Sequence, residues 1–271
     1  MADQKLDYDH LIQKARLLAK TYGWLEEELG SFEVEGKHYK IPVFHFGDRV
    51  NSSPLSTKIS VSGGIHGDEP AAVAGALYLL EHLPKLKEAR TLGVSLIVCE
   101  NPTGYELQTR GNWNSLDLNR KWRSESSSPE IKILHPFFHQ HPFKLTIELH
   151  EDVDTRGFYL YELGAALNEK GIYGEKIIKS VQDSGLAVNL DPEIDGFPAE
   201  GGIISPRVSP EDMFEWPKSI FNLATHGNPA LTLESAPCLP LETRVQMLYV
   251  ATVTAIRILS KMQMGSSLRT K

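Results

Sequence analysis

Residues 58–82, KISVSGGIHGDEPAAVAGALYLLEH, hold one complete unit of secondary structure and the first chemistry of the chain. Lys58 to Ser62 is a short run of β-branched and small residues that stops at Gly63 and Gly64, as a buried strand closed by a turn does. Pro70 then opens a stretch rich in Ala and Leu up to about His82. Proline suits the first helical position because the N–H it lacks would be left unbonded there anyway. The unit reads strand, turn, helix. In open α/β sheets such a junction lies at the carboxyl edge, where ligands bind. His66 and Glu69 stand three apart in it, close enough for an imidazole and a carboxylate to turn toward one point.

Working outward, the same alternation continues. Tyr8 to Thr21 places Leu11, Ile12, Ala15, Leu18 and Ala19 on one helical stripe. Phe32 to Phe46 is aromatic and β-branched with a turn at Gly36 and Lys37, which predicts a hairpin. Asn51 to Ser56 is a polar loop. Leu92 to Cys99, Lys144 to Leu149 and Ala230 to Leu233 read as strands, and Leu241 to Met262 as a long amphipathic helix. NPTGYELQTRGNWNSLDLNRKW, residues 101–122, is too polar and turn-rich for an element interior. SESSSPE, residues 124–130, reads as a surface loop. Strands alternating with helices predict an α/β fold with a largely parallel or mixed sheet.

Bulk composition narrows the partners. The 271 residues carry a formal charge of −7, with a pI near 5.8, whereas nucleic acid or an anionic membrane demands a basic face. A peptide or small-molecule substrate is therefore expected. Cys99 and Cys238 are the only thiols, too few for a disulfide framework or thiolate site, and core packing is expected for both. The first twenty residues lack the features of a signal peptide, and no apolar run reaches membrane-spanning length, so a cytoplasmic protein is expected.

Further chemistry lies at other strand ends. LTIELHED, residues 145–152, supplies His150, flanked by Glu148 and Glu151. Catalytic Zn²⁺ commonly takes two His and one carboxylate, so an imidazole completes a site that already holds Glu69 better than a second acid would. ALTLESA, residues 230–236, ends an apolar strand on Glu234, an acid whose burial needs pairing or function and which can serve as a base toward water. Between them lie Arg110, Asn119 and Arg120. A guanidinium can stabilise an oxyanion, and an Asn with an Arg can grip a carboxylate by directional bonds. Asp117 can accept the free ring N–H of a ligand His and fix its tautomer.

The order HxxE, TR, DLNR, strand-end His, strand-end Glu, spanning about residues 58–236, resembles the zinc carboxypeptidases and their relatives that deacylate amino acids, the succinylglutamate desuccinylase and aspartoacylase group. The resemblance implies that His66, Glu69 and His150 hold one Zn²⁺ per chain. It also implies that Glu234 is the general base and Arg110 polarises the scissile carbonyl. Asn119 and Arg120 would bind the substrate carboxylate, and Asp117 would support His66. It further implies one catalytic domain over residues 1–271, built on a central mixed, twisted sheet flanked by helices. The expected activity is hydrolysis of a C-terminal peptide bond, the alternative being deacylation of an N-acyl amino acid.

The sequence does not place the mobile-loop Tyr of the digestive members. Tyr159 and Tyr161 follow His150 too soon, and no Tyr lies between Tyr173 and Glu234. Glu211, Asp212 and Glu215, before the base, weakly favour a basic terminal residue in the substrate, although a solvated acidic loop is the more frequent origin of such a run. His135, His139 and His141 in HPFFHQHP resemble a metal cluster, but they lack a nearby acid and their prolines are expected to break any helix.

Overall fold

The computed structural model describes residues 6–48, 58–123, 128–164 and 171–267. Helix α1 (Tyr8–Tyr22) starts at Asp7, whose carboxylate accepts the backbone N–H groups of Asp9 and His10, and ends at Gly23 in the left-handed region. Both ends satisfy groups the helix leaves open. β1 (Leu25–Val34) and β2 (Lys37–Phe46) form the expected hairpin. It begins earlier than Phe32 because the sheet-edge stretch LEEE, exposed along its length, carries no apolar alternation to announce it. Its turn is Glu35–Gly36 rather than Gly36–Lys37, with φ of 51° and 82°, as a two-residue hairpin turn requires.

Strand β3 (Ile59–Ser62) leads into helix α2 (Pro70–His82), as the quoted stretch predicts. A short helix α3 (Lys87–Leu92) precedes β4 (Val94–Ile97), so Leu92 belongs to a helix. Gly93, at φ 73°, separates the two elements. Within residues 101–122, expected to be irregular, Pro102–Leu107 forms helix α4. The Asn101 side chain caps it by accepting the Gly104 N–H, a start signal of Asn followed by Pro.

Helix α5 (Pro129–Gln140) runs unbroken through Pro136, contrary to expectation. Its aromatic face compensates: Leu134, Phe137 and Phe138 pack with Trp122 and Phe221 in one cluster. Ser128 and Glu130 are buried, so the expected surface loop at 124–130 fails at its C-terminal end. Residues 124–127 and 51–56 lie outside the described residues.

β5 (Leu145–Glu151) and β6 (Tyr159–Leu163) precede helix α6 (Gly174–Asp183). A small hairpin follows, β7 (Glu193–Ile194) with β8 (Phe197–Pro198), then β9 (Ile203–Ile204) and helix α7 (Lys218–His226). β10 (Ala230–Ser235) and helix α8 (Leu241–Ser267) close the order.

The eight-stranded sheet runs β1-β2-β4-β3-β5-β10-β6-β9. Its centre, β4-β3-β5-β10, is parallel, while β1, β2 and β6 join antiparallel. The mixed sheet flanked by helices is therefore as expected. Val61, Ile147, Leu149, Leu231 and Leu233 point to one face and share a core with α1, α2, α6 and α8. Alternation sends their neighbours to the other face. There Ser62, Glu148 and His150 meet Thr232 and Glu234 in register. Cys99 is buried as expected; Cys238 is exposed, contrary to expectation, because it lies in the turn after β10 rather than in the sheet. Among the described residues no helix is long and apolar enough to cross a membrane.

Candidate metal and catalytic centre

Glu69 occupies the N-cap position of α2, directly after the turn that leaves β3. His66 Nδ1 lies 2.6 Å from Glu69 Oε1, and His150 Nδ1, at the end of β5, lies 2.9 Å from Glu69 Oε2. Potential ligand atoms of all three residues fall within 4.8 Å of one another, and all three side chains are buried. Burial alone would raise the Glu69 carboxyl, but His150 and His66 outweigh it and hold it at about 2. Burial pushes His150 downward, yet Glu69, Glu148 and Glu234 together lift it well above the ordinary histidine value. Negative charge gathered around buried imidazoles favours positive charge there, whether as protons or as a bound cation, and a metal binds once the protons leave.

Behind each imidazole stands a second carboxylate. His66 Nε2 lies 3.2 Å from Asp117 Oδ1, as the sequence motif implied. Burial of Asp117 is outweighed by His66, Arg110 and Arg120, which hold its carboxyl far below the usual range. His150 Nε2 faces Glu148 Oε2 at 3.8 Å, and neither atom has another hydrogen-bond partner. That gap is too long for a bond but within reach of a side-chain rotation. With Nδ1 engaged on each ring, Nε2–H can donate to these carboxylates, the arrangement that orients metal-binding histidines. Glu151 does something else: it accepts the Ala71 N–H at the start of α2 and the Arg244 guanidinium, while its own N–H donates to Glu69 Oε2. The residues thus fit a divalent metal of the zinc type, with two imidazole nitrogens, one carboxylate and an oriented outer shell.

Glu234 stands beside His150 in the β10–β5 register. It is 9% exposed and accepts no hydrogen bond from any described residue. Burial, with Glu69, Asp152 and Asp195 adding to it against His150, pushes its carboxyl up to about 8.

The loop after α4 brings the arginines in. Helix α4 itself lies hard against the turn after β3, since a Cβ on Gly67 would sit 1.9 Å from the Gly104 carbonyl carbon. Gly67 N–H donates to the Thr109 carbonyl, and buried Glu130 holds Asn112 and Ser128. Arg110, half exposed, donates from Nε to Asp117 Oδ2 at 3.1 Å and lies 3.7 Å from Glu69 Oε1. Asn119 Oδ1 accepts the Lys218 N–H, which leaves its amide NH₂ free to donate. Arg120 spends one N–H on the Asn119 carbonyl. The eight residues singled out from sequence thus cluster in one region of the fold.

Two groups escaped the sequence reading. Lys218, 1% exposed on α7, donates from Nζ to Ser62 and to both oxygens of Glu100 at 2.7 Å, under the rings of Trp122 and Phe138. Tyr159, set aside as too close to His150, faces Glu234 across the β10–β6 pair. The acidic loop at 211–215 is partly neutralised, with Glu215 bonded to Lys121 and Arg123 reaching the loop carbonyls. His135, His139 and His141 form no metal group among the described residues; His135 stacks with Trp122 and His139 and meets Phe221 at a tilt, and His141 meets Phe137 at a tilt.

Comparison with known proteins agrees with this architecture. The succinylglutamate desuccinylase/aspartoacylase catalytic domain matches residues 56–259. A murein peptide amidase A of Vibrio campbellii is 34% identical over 85 residues, which span 31% of this chain and only 32% of that protein. A candidate metallopeptidase of Shewanella baltica OS155 superposes with a TM-score of 0.74 at 21% identity, over 93% of this chain and 92% of its own. A metallo-carboxypeptidase of Burkholderia cenocepacia superposes at 0.70 and 16% identity, over 95% and 70%.

Proposed function

The chain belongs to the succinylglutamate desuccinylase/aspartoacylase family of hydrolases, and from that premise we propose that it is a zinc-dependent carboxypeptidase releasing the terminal residue of a short peptide. The observation that carries the proposal is the convergence of both His Nδ1 atoms on the Glu69 carboxylate with Glu234 alongside. In this reading His66, Glu69 and His150 hold the metal, which when bound supplies Lewis-acid polarisation of the scissile carbonyl and of water. Glu234 takes the proton from the attacking water and returns it to the leaving nitrogen. The half-exposed Arg110 guanidinium, steadied by Asp117, donates to the oxygen that gains charge. The free amide of Asn119 and the remaining N–H groups of Arg120 hold the terminal carboxylate.

The stretch shared with a murein peptide amidase supports a peptide substrate. The family match keeps a second reading open, removal of an acyl group from an N-acyl amino acid. Mass spectrometry of free-carboxylate peptides and N-acyl amino acids incubated with the zinc-loaded protein separates them. Loss of one C-terminal residue supports the carboxypeptidase, release of an acyl group alone moves the enzyme to the deacylases, and no turnover of either class refutes both.

Metal removal gives an independent check. Chelation is expected to take activity to background and lower Tm, since a ligand present at a thousandfold over its Kd stabilises by about 4 kcal/mol. Zn²⁺ should restore both. Unchanged Tm and activity after verified metal removal would rule the metal assignment out.

A further inference from the structure

The polar face of the sheet does not stop at Glu234. β6 extends it, with Tyr159 opposite Glu234 and Tyr161 opposite Thr232. The Tyr159 hydroxyl donates to Asp152 Oδ2 at 3.0 Å, and the Tyr161 hydroxyl to Asp195 Oδ2 at 2.5 Å. Asp195 is at the tip of the β7–β8 hairpin, where it and Gly196 have φ of 50° and 72°. An Asp-Gly pair is the natural occupant of such a two-residue turn. The hairpin is seated rather than loose: Ile194 packs with Tyr159 and Ile204, and the Phe197 ring meets Tyr161 edge-on at 6.1 Å.

Among the described residues these carboxylates have no cationic partner. Among the described residues neither Asp152 nor Asp195 forms an ion pair; each accepts one Tyr hydroxyl, and Asp152 also accepts the Asp154 N–H. Glu234 adds an independent observation. More than nine-tenths buried, it lies on the same side of the sheet and accepts no hydrogen bond. The other flank of the centre has the opposite charge, carrying Arg110 and Arg120. Across the sheet the order is therefore arginines, His66–Glu69–His150, Glu234, then Tyr159, Tyr161 and the two aspartates.

A substrate whose carboxylate rests on Asn119 and Arg120 and whose scissile carbonyl lies over the metal ligands directs its acyl side toward that acidic wall. We propose that Asp152, Asp195 and Tyr161 receive an ammonium group carried by the acyl-side residue of the substrate, and repel acyl groups that bear a carboxylate. The inference rests on the proposed peptidase reading and deepens it, because an anionic acyl group such as succinyl meets like charge there.

The test is a matched series, acetyl-Ala-Xaa-Ala with Lys, norleucine or Glu as Xaa, so that only the charge before the scissile bond changes. The wild type is expected to prefer Lys over norleucine by about tenfold in kcat/KM and norleucine over Glu by a similar factor, the size of a well-placed interfacial charge contact. Asp195→Asn should compress the Lys-to-Glu ratio by about tenfold, and Tyr161→Phe by less, as expected for a residue that holds Asp195 in place. Equal rates for Lys and norleucine, or an unchanged ratio in a folded Asp195→Asn protein, would overturn the proposal while leaving the peptidase reading intact. If no peptide is cleaved, the reading beneath it fails, and calorimetric binding of the same series to the Glu234→Gln protein still decides the wall. Tighter binding of the Lys peptide supports it, and equal binding refutes it.

Discussion

Glu234→Gln is expected to lower kcat by roughly 10²–10⁴-fold, the usual contribution of a positioned general base, while leaving metal content and Tm near wild type. Gln fills the same volume and keeps a carbonyl oxygen, but it cannot take a proton. Among the described residues the side chain has no hydrogen-bond partner and belongs to no candidate metal group, so little else depends on its charge. Burial pushes the Glu234 carboxyl upward, to about 8 with no metal beside it, and a bound cation draws it back toward neutrality. A base of that strength accepts protons readily near physiological pH. The sign follows: activity must fall as pH drops through the Glu234 pKa, and this acid limb should vanish in the residual activity of the Gln variant. Near-normal turnover by a metal-replete Gln protein would end the assignment.

Lys218→Met is expected to destabilise the fold by about 3–5 kcal/mol, the cost of leaving one member of a buried ion pair alone. Glu100 is 0% exposed, and burial raises its carboxyl despite the lysine beside it. Removing Nζ strands that carboxylate among Trp122, Phe138 and Ser62. The double variant Glu100→Gln with Lys218→Met should recover most of the loss, because an apolar replacement of both partners is often neutral. Denaturant unfolding of metal-loaded single and double variants measures both. If the single variant is as stable as wild type, the buried pair does not contribute to stability in this way. Met keeps the backbone N–H that Asn119 Oδ1 accepts, so KM should rise in the folded fraction only as far as α7 itself shifts.

The centre was legible in the sequence to the extent that its residues mark element ends. Pro70 fixes the start of α2, and the Gly63–Gly64 pair fixes the end of β3, so His66 and Glu69 had to lie at a sheet edge. Apolar runs ending on His150 and Glu234 placed two more residues at strand ends. Glu148 could have been read too, since i and i+2 share a strand face and the β5 alternation sets it beside His150. Lys218 could not. Nothing local distinguishes it from a surface lysine, and its burial follows from α7 crossing a sheet face whose Ser62 and Glu100 arrive from distant parts of the chain. α4 and the exposed first half of β1 were missed for a related reason. Their short or polar sequences carry no periodicity of their own and are held by neighbours: Glu106 of α4 accepts from Tyr8, Lys37 and Tyr39. Pro136 was misjudged because a local rule gave way to the aromatic packing around α5.

The division of labour among the central strands also separates two capacities of the site. His66 and Glu69, in the turn after β3 and at the start of α2, and His150 on β5 make up the candidate ligand set, whereas the neighbouring β10 contributes only Glu234. Holding an ion and moving a proton therefore rest on different strands, so damage confined to the end of β10 is expected to leave a protein that still takes up metal but turns nothing over.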